Sequence, residues 1–394
     1  MKLNRGLDAI NKCLTYWGEN IKNLFKNNRI KIMIDDDGVS NLVYERSITI
    51  KGPKIVALGG GTGLSTMLRG LKRYTANITA VVTVADDGGG SGALRQDLGM
   101  LPPGDIRNCI LALADTEPIM EQLLQYRFTE GTLKGQSFGN LFLAAMNGIS
   151  TNFEEAVRKM SDVLAVTGRV LPVTSQDVHL CALLENGIEV CGESKISAFQ
   201  KKYSSRIQSV YLRPHNVKPL QEVLEAIDKA DIIVIGPGSL YTSVMPNLVV
   251  KGVAQAIKNS NALKLYICNI MTQPGETEGY SAYEHIAAIE KHVGKGLIDY
   301  CIVNKQTIPD ELLQRYIEDG AQAVLLDRHK FKEANIRLLE GDLLAVSNGF
   351  IRHDTAKLAQ MIAQVALNEI LSENKERIID YYYVKDRLKK IKIE

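Results

Sequence analysis

The stretch KIVALGGGTGLSTMLRGLKRY, residues 54–74, decides the fold of this chain. Its first part, Lys54 to Leu58, is a short apolar run rich in β-branched residues, which predicts a buried strand. Glycines between Gly59 and Gly63 interrupt the run, and apolar residues then recur at helical spacing from Leu64 to Leu71. The stretch therefore predicts a strand, a tight glycine turn and a helix.

A second strand follows in ITAVVTVADDGGGSGALRQDL, residues 78–98. Its apolar part, Ile78 to Val84, shows no alternation, which is typical of a strand covered on both faces in a parallel sheet. We therefore predict an α/β fold, a doubly wound and mostly parallel Rossmann-like sheet.

The region 163–215 has a different pattern. It predicts antiparallel strands at Val170–Val173, Val178–Leu184 and Ile188–Cys191, with a turn at Glu185–Asn186–Gly187. This region is predicted to be a small antiparallel β insertion.

The first glycine turn has the chemistry of an anion site. Glycines let the backbone approach a phosphate, and the next helix points its free N–H groups at it. Gly60, Gly61, Thr62 and Gly63 are therefore candidate ligand-binding residues. The loop holds no lysine and no GxxxxGK[ST] spacing, which argues against a P-loop NTPase. A tight crossover that needs glycine only for its shape remains the alternative.

Acidic residues follow the second strand. Asp86 and Asp87 end it, and PPGDIRN, residues 102–108, places Asp105 and Asn108 at the start of another helix. Three carboxylates beside a phosphate site predict Mg²⁺ as a candidate cofactor, held by Asp86, Asp87 and Asp105. Capping of the helix by Asp105 is the alternative.

Further polar loops suit the same cleft. Ser137 and Asn140 precede an apolar helical run, and DIIVIGPGSLYTS, residues 231–243, repeats a strand, a glycine turn and hydroxyl groups. Gly238, Ser239 and Tyr241 are the candidates there. Additional strands are predicted over Leu265–Asn269, Leu297–Val303 and Ala323–Leu326. Because ligands bind at the carboxyl ends of strands in open α/β sheets, these loops predict one long cleft.

Composition limits the class of protein. The 394 residues are 45% hydrophobic and 23% charged, and no apolar run approaches the ~20 residues that span a bilayer. We expect no transmembrane segment. No cysteine occurs in a CxxC pair, which predicts reduced thiols in a cytoplasmic protein. The six cysteines are Cys13, Cys109, Cys181, Cys191, Cys268 and Cys301.

Basic charge is concentrated at the two ends. Residues 1–31 carry seven Lys and Arg against two Asp and Glu, whereas residues 53–372 are acidic overall. An acidic core argues against a nucleic-acid-binding face. We divide the chain into a basic amphipathic extension, 1–52, a Rossmann-like domain, 53–372, and a basic tail, 373–394. The predicted N-terminal helix suits peripheral membrane contact, or packing on the core or on a second copy in a homo-oligomer.

Seven ordered motifs resemble the bacterial gluconeogenesis factor family, a branch of the 2-phospho-L-lactate transferase superfamily. The resemblance covers about residues 53–370. The motifs are IVALGGGTGLSTMLRGLK, TVADDGGGSGALR, PPGDIRN, SFGNL, ADIIVIGPGSLYTSVMPNL, YICNIMTQPGET and IRHDTAKLA. The resemblance implies a cytoplasmic protein that binds a UDP-sugar of the UDP-N-acetylglucosamine type. It also implies roles in growth on gluconeogenic carbon sources, cell shape and cell-wall synthesis, without an established reaction.

Site roles carried over from the family complete the prediction. Arg352 is the candidate partner of a phosphate, and Tyr316 a wall of the nucleotide or sugar end. Thr355 is a candidate phosphorylation site, since added charge near Arg352 would alter the pocket. Asp354 or Thr355 also suits the N-cap of the last helix.

Three functions remain open at this stage. The first is a regulator that binds a nucleotide sugar. The second is a Mg²⁺-dependent transferase of a phosphate-bearing group. The third, an NAD(P) oxidoreductase, rests only on an acidic residue about twenty positions beyond a glycine turn.

Overall fold

The computed structural model of the chain describes residues 52–347 and 349–373. All of them belong to one compact unit that spans Ile48–Glu394. The predicted N-terminal amphipathic helix and the basic C-terminal tail lie outside the described residues. Within the described part of the chain, no helix is both long and apolar enough to cross a membrane.

Seven parallel strands form the main sheet, in the order β10-β9-β8-β7-β1-β2-β3. Two small antiparallel sheets accompany it, β5-β4-β6 and β11-β12. The strands are β1 Ile55–Gly59, β2 Ile78–Val82, β3 Arg169–Pro172, β4 His179–Leu184, β5 Glu189–Cys191, β6 Ile207–Arg213, β7 Ile232–Ile235, β8 Leu263–Ile267, β9 Tyr300–Asn304, β10 Arg337–Gly341, β11 Leu344–Ser347 and β12 Phe350–His353. The predicted α/β fold, with a parallel sheet and a small antiparallel insertion, is confirmed.

Helices alternate with the strands along most of the chain. A single π-helical turn, Leu240–Val244, follows β7. The α-helices are α1 Gly61–Leu71, α2 Gly89–Leu98, α3 Gly104–Leu113, α4 Pro118–Gln125, α5 Phe138–Gly148, α6 Phe153–Val163, α7 Glu193–Tyr203, α8 Gln221–Asp228, α9 Met245–Leu248, α10 Val253–Asn259, α11 Ala282–Val293, α12 Asp310–Glu318, α13 Arg328–Glu333 and α14 Thr355–Glu373.

The chain reverses its direction of travel across the sheet between β1 and β7. It runs outward from β1 through β2 to β3, and then returns to the other side of β1 as β7. Every residue of β1 and β7 is buried, as expected for central strands covered on both faces. Such a switch point opens a crevice at the carboxyl ends of its strands. Both predicted glycine turns therefore meet at this place.

Two strand predictions need correction, and one strand was not predicted. Val170–Val173 was expected in the antiparallel insertion, but β3 pairs in parallel with β2 at the edge of the main sheet. Ala323–Leu326 forms only isolated bridges, at Ala323 and Leu325, and is not a strand. The last strand of the sheet is instead β10, whose half-buried edge position gives it no uniformly apolar pattern.

The cysteine prediction is wrong for one pair. Cys181 and Cys191 lie directly opposite each other on β4 and β5 and form a disulfide. The antiparallel register brings their Cα atoms within 4.1 Å, which the ten-residue separation along the chain does not reveal. Cys109, Cys268 and Cys301 are free and buried, as expected.

Candidate functional site

A cavity of about 460 Å³ opens at the switch point. The turn after β1 and the start of α1 form one side, and the loop after β7 forms another. The loop after β8 and the hairpin β11-β12 complete it, together with one side of α12. Its volume falls in the range of ordinary small-molecule sites.

The turn after β1 presents the N-terminus of α1 to the cavity. Gly60 is the N-cap, and no side chain caps the helix there. The first N–H groups of a helix have no partner within the helix. The Gly61 N–H donates to the Asp105 carboxylate, so those of Thr62 and Gly63 are the ones available to a ligand. Gly61 has φ 66°, a left-handed conformation that favours glycine. Thr62, exposed at the first turn, adds a hydroxyl to these donors.

The two glycine turns are in close contact. A Cβ on Gly63 would lie 2.8 Å from the carbonyl oxygen of Pro237, so only glycine allows α1 to approach the second loop this closely. Asn269, just beyond β8, holds that loop through both of its amide atoms. Its Nδ2 donates to the carbonyl oxygen of Gly238 at 2.9 Å, and its Oδ1 accepts from the Gly238 N–H at 3.4 Å. The loop after β7 is therefore fixed from both sides.

The hairpin β11-β12 forms the opposite wall. The Tyr316 hydroxyl accepts a 2.8 Å hydrogen bond from the Ile351 N–H, which leaves its own proton free to donate. The Arg352 guanidinium lies over the Phe350 ring, 5.2 Å from its centroid. This wall thus combines a cation, a phenol and a half-exposed aromatic face, with Phe350 51% exposed.

Carboxylates gather behind the first glycine turn. Asp105 accepts a hydrogen bond from the Gly61 N–H, but burial and the nearby Asp86 carboxylate raise its pKa to about 6. Burial and the same aspartate raise the pKa of Glu193 to about 8. Asp105 lies in the first turn of α3, where no side chain caps the helix, so the expected capping role is not observed. It supports the glycine turn instead.

A further buried carboxylate, Glu276, organises the turn after β7. It accepts from the Tyr241 N–H at 3.1 Å and from the Thr242 hydroxyl at 3.0 Å. Burial raises its pKa to about 7.

Eight predicted site residues line the cavity. They are Gly60, Gly61, Thr62, Gly63, Gly238, Ser239, Tyr316 and Arg352. Ser239 donates a 2.6 Å hydrogen bond to Gln273 in the cavity wall.

Six other candidates lie away from its lining, namely Asp86, Asp87, Asn108, Ser137, Asn140 and Tyr241. Ser137 caps α5 by accepting from the Asn140 N–H, and Asn108 lies within α3. Tyr241 is buried, with its hydroxyl 2.9 Å from that of Tyr280. Tyr241 belongs to the π-helical turn, and its side chain lies in the core instead of in the cavity wall.

The predicted magnesium ligands do not form a three-residue set. Over residues 52–347 and 349–373, no group of three or more His, Cys, Asp or Glu side chains is arranged to hold a metal ion. One oxygen of Asp86 accepts from the Gly88 N–H at 2.9 Å. One oxygen of Asp87 accepts from the Ser194 N–H at 2.8 Å. A Mg²⁺ ion there would depend on one or two carboxylates together with ligand oxygens.

Sequence reasoning missed several residues of the cavity wall, among them Ser243, Phe350 and His353. Ser243 stands four residues beyond Ser239, so helical spacing could have found it. Phe350 carried no signal, because the β11-β12 hairpin was not predicted, whereas His353 stands beside Arg352 in the motif IRHDTAKLA.

Comparison with known proteins gives the family. Residues 55–344 match the family model described as 2-phospho-L-lactate transferase CofD. The gluconeogenesis factor of Bacillus subtilis is 48% identical over 314 residues, covering 79% of this chain and 98% of that protein. The chain belongs to the gluconeogenesis factor family. The resemblance read from the seven motifs is thereby confirmed.

Other members extend the comparison. A protein of Clostridium acetobutylicum is 54% identical over 376 residues, and the match covers 95% of this chain and 83% of the Clostridium protein. A crystal structure of a UPF0052 family member from Bacillus halodurans superposes with a TM-score of 0.76 at 47% identity, covering 78% of this chain and 98% of that one. The Clostridium relative therefore matches most of the terminal segments that lie outside the shorter family members.

Proposed function

We propose that the chain binds a UDP-sugar of the UDP-N-acetylglucosamine type in this cavity and acts as a regulator. The observation that carries the proposal is the N-terminus of α1, which has glycine as its N-cap and opens on a cavity of about 460 Å³. Through this binding, we propose that the protein regulates growth on gluconeogenic carbon sources, cell shape and the supply of cell-wall precursors, as the family's name and resemblance suggest.

The diphosphate would lie at the first glycine turn. Backbone N–H groups at a helix N-terminus and the Thr62 hydroxyl are suited to phosphate oxygens. Arg352 adds a cation on the facing wall, and a guanidinium matches two phosphate oxygens at once. The exposed Phe350 ring offers a flat apolar surface to a base or a sugar face.

Calorimetric titration of the full chain with UDP-N-acetylglucosamine tests the proposal, with GTP and NAD as competing ligands. Saturable binding of the UDP-sugar that is at least tenfold tighter than either competitor is the expected result. Arg352→Ala should then weaken that binding by roughly tenfold, since it removes a charged hydrogen-bonding group. Arg158→Ala, an exposed site on α6, is the matched control. Equal or absent binding of all three ligands would contradict the proposal.

The second candidate is a Mg²⁺-dependent transferase of a phosphate-bearing group. It is favoured by the family model and by Asp105, whose raised pKa of about 6 lies close to the range of a general base or acid. Asp105→Asn separates the two functions. A transferase should lose turnover and keep its affinity for the nucleotide, whereas a regulator has no turnover to lose.

A further inference from the structure

His353 is held in one orientation at the end of β12. Its ring lies in the cavity wall, and Nε2 is 3.2 Å from the carbonyl oxygen of Cys268, just beyond β8. A carbonyl oxygen can only accept a hydrogen bond, so Nε2 is the nitrogen that carries the proton. In the neutral ring, the other nitrogen, Nδ1, then carries a lone pair.

The ring is neutral under ordinary conditions. Burial lowers the pKa of His353 to about 4, so the second nitrogen stays unprotonated at neutral pH. No hydrogen bond among the described residues engages Nδ1. Nδ1 is therefore an acceptor that is available to a ligand at neutral pH.

Three groups of the cavity wall around the first glycine turn and the facing hairpin are donors, whereas the Asp319 carboxylate is an acceptor elsewhere in the wall. The N-terminus of α1, the Arg352 guanidinium and the Tyr316 hydroxyl all present hydrogens to the cavity. Phosphate oxygens accept hydrogen bonds and are repelled by another acceptor. An acceptor such as Nδ1 is thus suited to a neutral part of the ligand that donates.

We propose that His353 selects the ligand by accepting, through Nδ1, a hydrogen bond from an N–H or O–H on the uncharged part of the ligand. This rests on the proposed binding of a UDP-sugar and adds a specificity-determining residue to that site. We assign the donor to one of the two parts that distinguish one nucleotide sugar from another, not to the ribose hydroxyls that all of them share. The imide N–H of uracil is one, and a hydroxyl or the acetamido N–H of N-acetylglucosamine is the other.

The test compares affinity ratios rather than single affinities. Dissociation constants for UDP-N-acetylglucosamine, UDP and CDP are measured by calorimetry on the full chain, for the wild type, His353→Phe and His329→Phe. His329 is an exposed residue of α13 and serves as the control. CDP has an acceptor nitrogen in place of the imide N–H, and UDP lacks the N-acetylglucosamine, so each ratio isolates one of the two donors.

If uracil donates, His353→Phe should reduce the preference for UDP over CDP by roughly tenfold, the effect of one buried hydrogen bond. If N-acetylglucosamine donates, His353→Phe should instead reduce the preference for UDP-N-acetylglucosamine over UDP by roughly tenfold. Phenylalanine also breaks the hydrogen bond to Cys268, but such structural damage lowers all three affinities together and leaves the ratios unchanged.

Unchanged ratios in His353→Phe, with UDP-N-acetylglucosamine still bound by the wild type, overturn the role of His353 alone. A wild-type chain that binds none of the three probes overturns the proposed function and this inference with it.

Discussion

The backbone N–H of Ser194 donates a 2.8 Å hydrogen bond to the carboxylate of Asp87. Asp87 follows β2 in the main sheet, whereas Ser194 is the second residue of α7, which follows the antiparallel strand β5. This bond fastens the small insertion to the acidic loop. The neighbouring Glu193 is thereby held among the carboxylates behind the glycine turn.

Removal of this acceptor should loosen the insertion. Asp87→Ala is expected to lower the free energy of unfolding by about 1–2 kcal/mol, because a hydrogen bond to a charged group is lost. Amide hydrogen exchange should accelerate at the start of α7. Asp97→Ala, an exposed site on α2, is the control. Equal exchange rates in both variants would show that the bond contributes little.

The Cys181–Cys191 disulfide should stabilise the same insertion. It closes a short loop of the unfolded chain, for which the chain-entropy account gives roughly 2–3 kcal/mol. Cys191→Ser should therefore unfold at lower urea concentration than the oxidised wild type. With dithiothreitol the two proteins should converge. A difference that persists under reduction would assign the effect to packing of the side chain instead.

The pH dependence of stability should report on Asp105. Its pKa is raised to about 6, so the folded state binds the proton more tightly than the unfolded chain. The resulting stabilisation is complete below pH 4 and is lost as the pH rises through 6. Asp105→Asn keeps an acceptor for Gly61 without the charge. It should match the wild type at pH 3.5 and exceed its stability at pH 7.5 by on the order of 2 kcal/mol.

Urea unfolding at these two pH values measures the difference. Glu193 and Glu276 also have raised pKa values, to about 8 and about 7, so the wild type should continue to lose stability up to pH 8. Asp97→Asn is again the surface control. A gain that is the same at both pH values would rule out ionisation of Asp105 as its cause.

Gly63 should tolerate no side chain. In Gly63→Ala the new Cβ meets the backbone oxygen of Pro237, which cannot move without shifting the second glycine turn. We expect a loss of about 1–3 kcal/mol in stability and weaker UDP-sugar binding. Gly148→Ala, at the end of α5, has nothing within 4 Å of its Cβ and should be neutral or slightly stabilising. Similar behaviour of the two variants would contradict the close approach.

Charge at Thr355 should alter ligand affinity. Thr355 is the first residue of α14 and lies three positions from Arg352. A negative group there competes with a ligand phosphate for the guanidinium, so Thr355→Glu should weaken UDP-sugar binding several-fold at low salt. Thr355→Gln is the uncharged control. A Thr355→Glu variant that binds as the wild type does would remove the phosphorylation hypothesis.

Local sequence was informative where one segment forms its own structure. Strand β1, its glycine turn and α1 are contiguous, and the periodicity changes at the turn itself. Asp354 likewise follows a simple rule, since it accepts from the N–H groups of Ala356 and Lys357 at the start of α14.

Features that depend on register or on distant packing were not predictable. Whether Cys181 and Cys191 meet depends on the pairing of β4 with β5, and a shift by one residue would place them on opposite faces. Phe350 and His353 belong to β12, which pairs with β11, and neither four-residue strand shows clear alternation. Glycine motifs therefore revealed one side of the cavity. On the facing side the family resemblance gave Tyr316 and Arg352, and the hairpin that carries Arg352 emerged only from the fold.

The contact between Gly70 and the start of α14 has a consequence for genetic screens. The carbonyl oxygen of Thr355 would lie 2.4 Å from a Cβ on Gly70, which is buried on α1 behind the cavity. Any larger residue at position 70 must push apart the helix that carries the glycine turn and the one that follows β12. Substitutions at Gly70 will therefore impair ligand binding, although Gly70 itself does not contact the ligand.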